Sequence, residues 1–243
     1  MLQDPRLPMK RTTPRSCFSD RPKHRVFSFV GAVLTLFAVS VPMSCASKPM
    51  DLARDHCIPT SVRLGSAPLG DAVVRLRADR RPLREQGASS FLGESTVADQ
   101  DFRVPLIEGI LRVVGRDARD AGLVRSASLF EGSRSLRIDI VVDHARLGYT
   151  EGVSTLIPIL PTSSVEAHVA LRFIFSDLDG RVYLDKAYEA VEEGSGSAIG
   201  NRKDAAADLF GKALRTVVDA FLVDARAAYE AWWTRFPESR PTR

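Results

Sequence analysis

The sequence contains few of the residues on which common catalytic and metal sites depend. It has only three cysteines and four histidines among 243 residues. The cysteines form no pair of closely spaced ligands, which excludes a zinc-ribbon type of site and a disulfide-rich scaffold. We find no Gly-x-Ser-x-Gly nucleophile elbow and no solenoid-type repeat. Apolar residues make up 44% of the chain and charged residues 26%, which is typical of a folded domain and excludes collagen-like, disordered and polytopic membrane proteins.

The sequence also lacks an excess of positive charge outside its N-terminal segment. The formal net charge is +4. Residues 1–44 contain seven basic and two acidic side chains, whereas residues 45–243 contain 27 basic and 28 acidic ones. The basic character therefore belongs to the N-terminal segment, and we expect no nucleic-acid partner.

Residues 1–47 have the organisation of an export signal. All charges of this segment lie within residues 1–25, and no charge occurs from Val26 to Ser47. Signal peptides have the same order, with basic residues first, then an apolar stretch and then small residues. The apolar stretch is also long enough for an uncleaved transmembrane anchor, which is the alternative. Met9 is an alternative start of the protein.

The end of this segment reads Val41-Pro42-Met43-Ser44-Cys45-Ala46-Ser47. A small residue followed by cysteine, directly after the apolar stretch, resembles the lipobox of bacterial lipoproteins, although Pro42 replaces the usual leucine. The resemblance implies that Cys45 becomes the acylated N-terminus, which attaches the protein to a bacterial membrane, with the outer membrane favoured. The alternative is cleavage after Ala46, in which case Cys45 and Cys57 could form a disulfide. His56 and Cys57 are adjacent, a spacing that does not indicate a metal site.

The remaining chain is predicted to contain a flexible tether at residues 48–70, a single domain at residues 71–236 and a disordered tail at residues 237–243. The tether prediction rests on three prolines and two glycines without periodicity. Apolar periodicity predicts a helix from Val104 to Gly122, with a solvent-facing side that includes Arg116 and Asp117, and a second helix from Asp204. The predicted strands are Asp71–Arg77, Leu123–Phe130, Leu136–Val142, Val165–Phe175 and Arg181–Val191. This order predicts an α+β fold, an antiparallel sheet with two helices packed on one face.

Two loops are superficially similar to ligand-binding motifs. The segment Gly194–Gly200 lies between a strand and a helix, as a dinucleotide-binding loop does, but Glu192 and Glu193 would repel a pyrophosphate and no strand follows. The segment Asp177–Gly180 lacks the additional acidic residues of a calcium loop and is predicted to be a hairpin turn. We therefore expect no cofactor and no metal ion.

Histidines offer one catalytic hypothesis, in which His144 or His168 acts with Asp143 and a serine. Adjacent residues of a strand point to opposite faces, so Asp143 would not orient His144. We therefore expect no enzymatic activity and retain a secreted hydrolase as the second alternative.

Two apolar regions are candidates for contact with a partner protein or a membrane. The first contains Leu156, Ile157, Ile159 and Leu160 within an uncharged run between two strands, and the second contains Trp232 and Trp233 near the C-terminus. Each region either covers the core or remains exposed for binding. Five arginines form a basic run, namely Arg75, Arg77, Arg80, Arg81 and Arg84. This run either contacts lipid headgroups or belongs to a solvated loop.

The segment from Ile138 to Ala225 resembles small envelope lipoproteins of the YajG and LptE-like type. The resemblance rests on the order of the elements, which is a long hairpin with an Asp-Gly turn, then a Gly/Ser loop and a closing helix. The segments that carry it are Ile138–Val142, Val165–Phe175, Asp177–Gly180, Val182–Val191 and Ala206–Leu222. It implies a non-enzymatic, periplasm-facing domain that is tethered by lipid, with an envelope protein as a partner. The expected function is to assist or scaffold an envelope assembly or transport complex, and the first alternative is a periplasmic carrier of a lipid or other apolar ligand.

Overall fold

The computed structural model describes residues 49–86, 90–91, 94–130, 136–150, 163–196 and 202–236. Residues Lys48–Arg243 form one compact unit. Its helices are α1 (Leu83–Gln86), α2 (Leu106–Asp120) and α3 (Arg202–Arg235), with helical turns at Leu52–His56 and Asp99–Asp101. Its strands are β1 (Asp71–Asp79), β2 (Ser90–Phe91), β3 (Glu94–Thr96), β4 (Ser126–Ser128), β5 (Leu136–Thr150), β6 (Ser163–Asp177) and β7 (Val182–Gly196).

The described strands form a single mixed sheet of seven strands with β5 at its centre. One edge of β5 pairs with β6, which pairs in turn with β7, and both pairings are antiparallel. The other edge of β5 is shared by β1, which is parallel to it, and by β3, which is antiparallel. The predicted α+β class is confirmed. The sheet is not purely antiparallel, because α2 supplies the long crossover that lets β1 and β4 run parallel.

Both long helices cover one face of this sheet, as predicted. Val74 of β1 pairs with Ile138 of β5, and Ile138 pairs with Phe175 of β6, so these side chains share a face. On that face the rings of Phe173 and Phe221 stack with their centroids 4.1 Å apart, which packs α3 against the sheet. A Cβ at Gly115 of α2 would lie 3.7 Å from Val74, so α2 packs on the same face.

The long strands and helices follow the predicted periodicity and extend beyond it. Strands β5, β6 and β7 each contain 15 residues. The chain turns at Gly180, whose φ of 83° favours glycine, as expected for the Asp177–Gly180 hairpin. Helix α2 ends before Gly122, which has a φ of 79° and is therefore suited to a helix C-terminus. Helix α3 contains 34 residues, which corresponds to a length of about 50 Å.

Residues 49–70 pack against the helices, and we call this segment the strap. His56 contacts Asp208 of α3, Thr60 contacts Asp219, and Ala67 accepts a hydrogen bond from Arg226. Later residues of the strap contact later residues of α3, so the strap runs along the helix in the same direction. The strap also contacts α2, because Arg116 donates to the carbonyl oxygen of Ala53.

The prediction of a flexible tether at residues 48–70 is wrong for the part that the structure describes. Met50, Leu52 and Cys57 are 6%, 2% and 4% exposed, and Thr60 is 3% exposed. These buried residues follow neither a helical nor a strand period, because the strap contains a single helical turn at Leu52–His56 and is otherwise irregular. Periodicity alone therefore contained no signal for its burial.

Candidate functional site

The strap begins at one end of the domain, which we call the anchor end and define by Met50, Asp101–Arg103 and Lys203. The amide of Met50 donates to the carbonyl oxygen of Asp101 at 3.0 Å, and the amide of Arg103 donates to the carbonyl oxygen of Met50 at 2.7 Å. Lys203, at the start of α3, forms an ion pair of 2.6 Å with Asp101. Met50 is therefore fixed to the folded domain through its backbone as well as its buried side chain.

The same end of the sheet holds the two strand ends that border the predicted apolar contact region. Tyr149 near the end of β5 pairs with Val165 near the start of β6, and Val165 pairs with Gly194 near the end of β7. Helix α3 then starts at this end and runs back along the sheet. Leu156, Ile157, Ile159 and Leu160 lie outside the described residues, as does the lipidation candidate Cys45.

The opposite end, which we call the aromatic end, is built from the Asp177–Arg181 turn and the last turns of α3. Trp233 is 6% exposed and packs against Tyr183 and Tyr229, so it caps the core and is not itself a contact surface. Trp232 is half-buried, and the guanidinium of Arg181 lies 4.5 Å from the centre of its ring. Phe236 packs against Trp232 and is 44% exposed. Leu178 lies in the turn and is 46% exposed.

Burial and a neighbouring carboxylate suppress ionisation of the Tyr183 hydroxyl at the aromatic end. Burial, together with the nearby Asp177 carboxylate, raises the pKa of Tyr183 above its usual range. The Tyr183 hydroxyl donates to Asp177 at 3.1 Å. The Tyr183 hydroxyl is therefore protonated at neutral pH, and this end presents apolar side chains together with the charged groups of Arg181 and the exposed Asp179.

The two ends are far apart. Lys203 lies at the start of α3 and Trp232 near its end. At 1.5 Å per residue the helix separates them by about 45 Å. The strand ends that border residues 151–162 and the Trp232–Trp233 pair therefore lie at opposite ends of the described domain.

A buried cluster of charges lies beneath the strap, and sequence reasoning missed it. Asp117 is completely buried; it forms an ion pair of 2.8 Å with Arg116 and lies 3.9 Å from Arg215 of α3. Thr60 of the strap donates to Asp219 at 2.6 Å, and Asp219 lies 3.9 Å from Arg215. The sequence placed Arg116 and Asp117 on a solvent-facing side of α2. This is wrong for Asp117, and Arg116 is partly buried, because the strap covers this part of the helix. Arg112 and Arg119, in contrast, are exposed as predicted. The cluster links α2, α3 and the strap.

Cys57 lies beside this cluster as a free thiol. The thiol donates to the carbonyl oxygen of Gly211 at 3.6 Å. Burial raises the pKa of Cys57 to about 11, although the positive charge of Arg116 opposes this shift. Cys57 is therefore protonated at neutral pH and is a poor nucleophile.

The two candidate catalytic histidines meet on the sheet, but not in the predicted arrangement. Their rings stack with centroids 4.7 Å apart. Nδ1 of His144 lies 3.0 Å from Glu85, and Nε2 of His168 lies 2.7 Å from Glu189. The carboxylates that contact the two histidines thus belong to Glu85 and Glu189. Within the described ranges, no group of three or more His, Cys, Asp or Glu side chains is suited to hold a metal ion.

No helix in the part of the chain that the structure describes is both long and apolar enough to cross a membrane.

Comparison with known proteins identifies no family for the chain. No family model matches it, and no curated protein matches it. Several solved structures are similar. A Xanthomonas campestris protein of the DUF330 family has a TM-score of 0.46 at 14% identity, over 72% of this chain and 97% of that one. A minor lipoprotein from Acinetobacter baumannii has a TM-score of 0.33 at 10% identity, over 64% and 92%.

Bacterial lipoproteins are thus among the structures to which the chain is similar, whereas the YajG and LptE-like families are not identified by these comparisons. At TM-scores below 0.5 these similarities do not assign a family.

Proposed function

We propose that the protein is a non-enzymatic lipoprotein of the bacterial cell envelope, anchored through lipid on Cys45, with its domain in the periplasm. The observation that carries this proposal is the position of Met50. This residue is fixed at one end of the fold, five positions after Cys45. A lipobox-like sequence therefore leads directly into the anchor end of a folded domain, an arrangement that fits attachment through lipid on Cys45.

The proposed role is to assist or scaffold an envelope assembly or transport complex. The aromatic end supports this role because it combines exposed apolar side chains with the Arg181–Trp232 contact. Aromatic residues and arginine are enriched at the energetically important centres of protein interfaces. With the anchor at one end, the aromatic end is the surface available to an envelope protein.

The two alternatives receive less support from the described residues. A carrier of apolar ligands would need space between α3 and the sheet, but the stacked rings of Phe173 and Phe221 fill that layer at its centre. A hydrolase would need a histidine oriented toward a nucleophile, but His144 and His168 each contact a glutamate and stack on one another.

The decisive experiment is the intact mass of the N-terminal peptide from the membrane fraction. The wild-type protein should yield an acylated peptide that begins at Cys45, and Cys45→Ala should lose both the modification and membrane association. Cys57→Ala is the matched control, because it removes a buried thiol and should leave acylation unchanged. An unmodified peptide that begins at Ser47 would contradict the proposal, and a peptide retaining residues 26–44 would instead show a transmembrane anchor.

A further inference from the structure

The connection between the lipidated residue and the folded domain is short. Only four residues separate Cys45 from Met50. A fully extended chain spans at most about 3.6 Å per residue, so the Cα of Met50 lies within about 18 Å of the Cα of Cys45. Because Met50 is fixed by hydrogen bonds to Asp101 and Arg103, no flexible segment follows it that would lengthen this reach.

This upper limit is about three times the thickness of the polar layer on one side of a membrane. The headgroup and interfacial regions add about 5–7 Å to each side of the hydrocarbon core. A lipidated Cys45 lies at the boundary of that layer. The anchor end of the domain is consequently held at the headgroups or within about 13 Å of them.

The exposed groups at the anchor end are suited to this position. Arg103 is exposed, and its backbone amide is bound to Met50. The two carboxylates beside Met50 and Arg103 have partners in the fold: Asp101 pairs with Lys203, and Asp51 caps the helical turn by accepting from the amide of Arg54. The guanidinium of Arg103 is therefore the cation best placed to contact a lipid phosphate.

We propose that the anchor end is the lipid-facing surface of this protein, where Arg103 contacts phospholipid headgroups, and that the aromatic end is directed away from the bilayer. This inference rests on the proposed lipidation of Cys45. It gives the domain an end-on orientation that places Trp232 about 45 Å farther from the membrane than Lys203.

A domain lying flat on its outer sheet face would make a less favourable contact. That face carries paired charges: Asp185 forms a bidentate pair with Arg172, Asp139 pairs with Arg75, and Glu189 contacts His168. A flat orientation would remove water from these ion pairs, which costs free energy.

Energy transfer from single labelled cysteines to acceptor lipids tests the orientation. The lipidated protein is reconstituted into vesicles of phosphatidylethanolamine and phosphatidylglycerol that contain a rhodamine-labelled lipid. A donor dye is attached at Arg103→Cys or, as the matched far-end position, at Asp179→Cys, each in a Cys57→Ala background. Both positions are exposed, so labelling should not disturb folding, and Gln100→Cys is a second exposed position near the anchor end.

We expect the transfer efficiency from positions 103 and 100 to exceed that from position 179 several-fold. Equal efficiencies would overturn the end-on orientation. Insertion of a Gly/Ser linker of about 20 residues before Lys48 should bring the ratio toward one, because the connection then no longer restrains the domain. A ratio that survives the insertion would overturn the role given to the short connection.

The mass of the N-terminal peptide, measured on the same sample, separates this inference from the proposed function. Without acylation and without association with vesicles, the proposed function itself fails. Acylated protein with equal transfer from both ends retains the proposed function and contradicts only the orientation.

Discussion

A Cβ atom at Gly211 of α3 would overlap the backbone carbonyl oxygen of His56 in the strap. The close approach of two backbones at this point leaves room only for glycine. The next residue of the strap, Cys57, contacts the same point of the helix, because its thiol donates to the carbonyl oxygen of Gly211. The strap is thus a packed part of the domain, held against the helix at a backbone contact.

Gly211→Ala should destabilise the domain although alanine is the better helix former. Overpacking against a backbone atom costs about 1–3 kcal/mol or more, which exceeds the gain in helix propensity of about 1 kcal/mol. Gly115→Ala is the matched control, since its Cβ would meet Ala127 at an ordinary 3.5 Å, and it should be neutral or stabilising. Urea unfolding measures both free energies; equal effects of the two substitutions would contradict the packing of the strap.

Asp117→Ala should lower the free energy of unfolding by about 3–5 kcal/mol, because it leaves the positive charges of Arg116 and Arg215 without their buried partner. Asp120→Ala, three residues along the same helix, removes a partly exposed pair with Arg119 at 3.0 Å and should change stability by less than about 1 kcal/mol. Thermal and urea unfolding provide the comparison. Similar losses for both variants would argue against a buried charge cluster.

The buried thiol of Cys57 predicts a specific loss of stability at alkaline pH. Its pKa is raised from 9.0 to about 11 in the folded state. The folded state thus retains the proton more strongly than the unfolded state, and the associated stability, on the order of 2 kcal/mol, is present below pH 9 and lost as the pH rises toward 11. The difference in unfolding free energy between wild type and Cys57→Ala, measured from pH 8 to pH 11, should show this decline.

The same thiol should react slowly with iodoacetamide in the folded protein at pH 8 and rapidly in urea. Rapid alkylation under native conditions, or a difference between wild type and Cys57→Ala that does not vary with pH, would show that Cys57 is not buried as described.

The aromatic end should be the surface that contacts an envelope protein. A photo-crosslinking amino acid at Leu178 should form a defined adduct in intact cells, whereas the same group at exposed Lys212, on the outer side of α3, should not. Trp232→Ala should reduce the adduct at position 178, because it removes the ring beneath Arg181, and we expect that loss without unfolding of the domain. Equal adduct yields at positions 178 and 212 would contradict a contact surface at this end.

The elements with strong periodicity were predictable. Alternation in Val165–Phe175 predicted β6, and the Asp177–Gly180 turn predicted its hairpin with β7, since these signals arise from residues close in sequence. The parallel pairing of β1 was not predicted, because pairing partners 64 positions apart, such as Arg75 and Asp139, leave no local pattern.

The candidate contact surfaces were predicted only in part. The sequence singled out Trp232 and Trp233 as equivalent residues. The structure shows that they differ, because the rings of Tyr183 and Tyr229 cover Trp233 and leave Trp232 partly exposed. Which of two adjacent aromatic residues is buried depends on the strand that the helix packs against, and this is a property of the tertiary contact.

The sequence by itself determined the α+β class, the long hairpin, the two helices and the expectation of a lipidated Cys45, because each depends on local periodicity or on a contiguous motif. Only the tertiary structure decided that residues 49–70 are a strap, that Asp117 is buried and that Trp232 lies at the end of the domain opposite Met50. These features arise where irregular chain meets α2 and α3. Their stability depends on backbone approach and paired charges between distant residues, and neither has a signature in the order of amino acids.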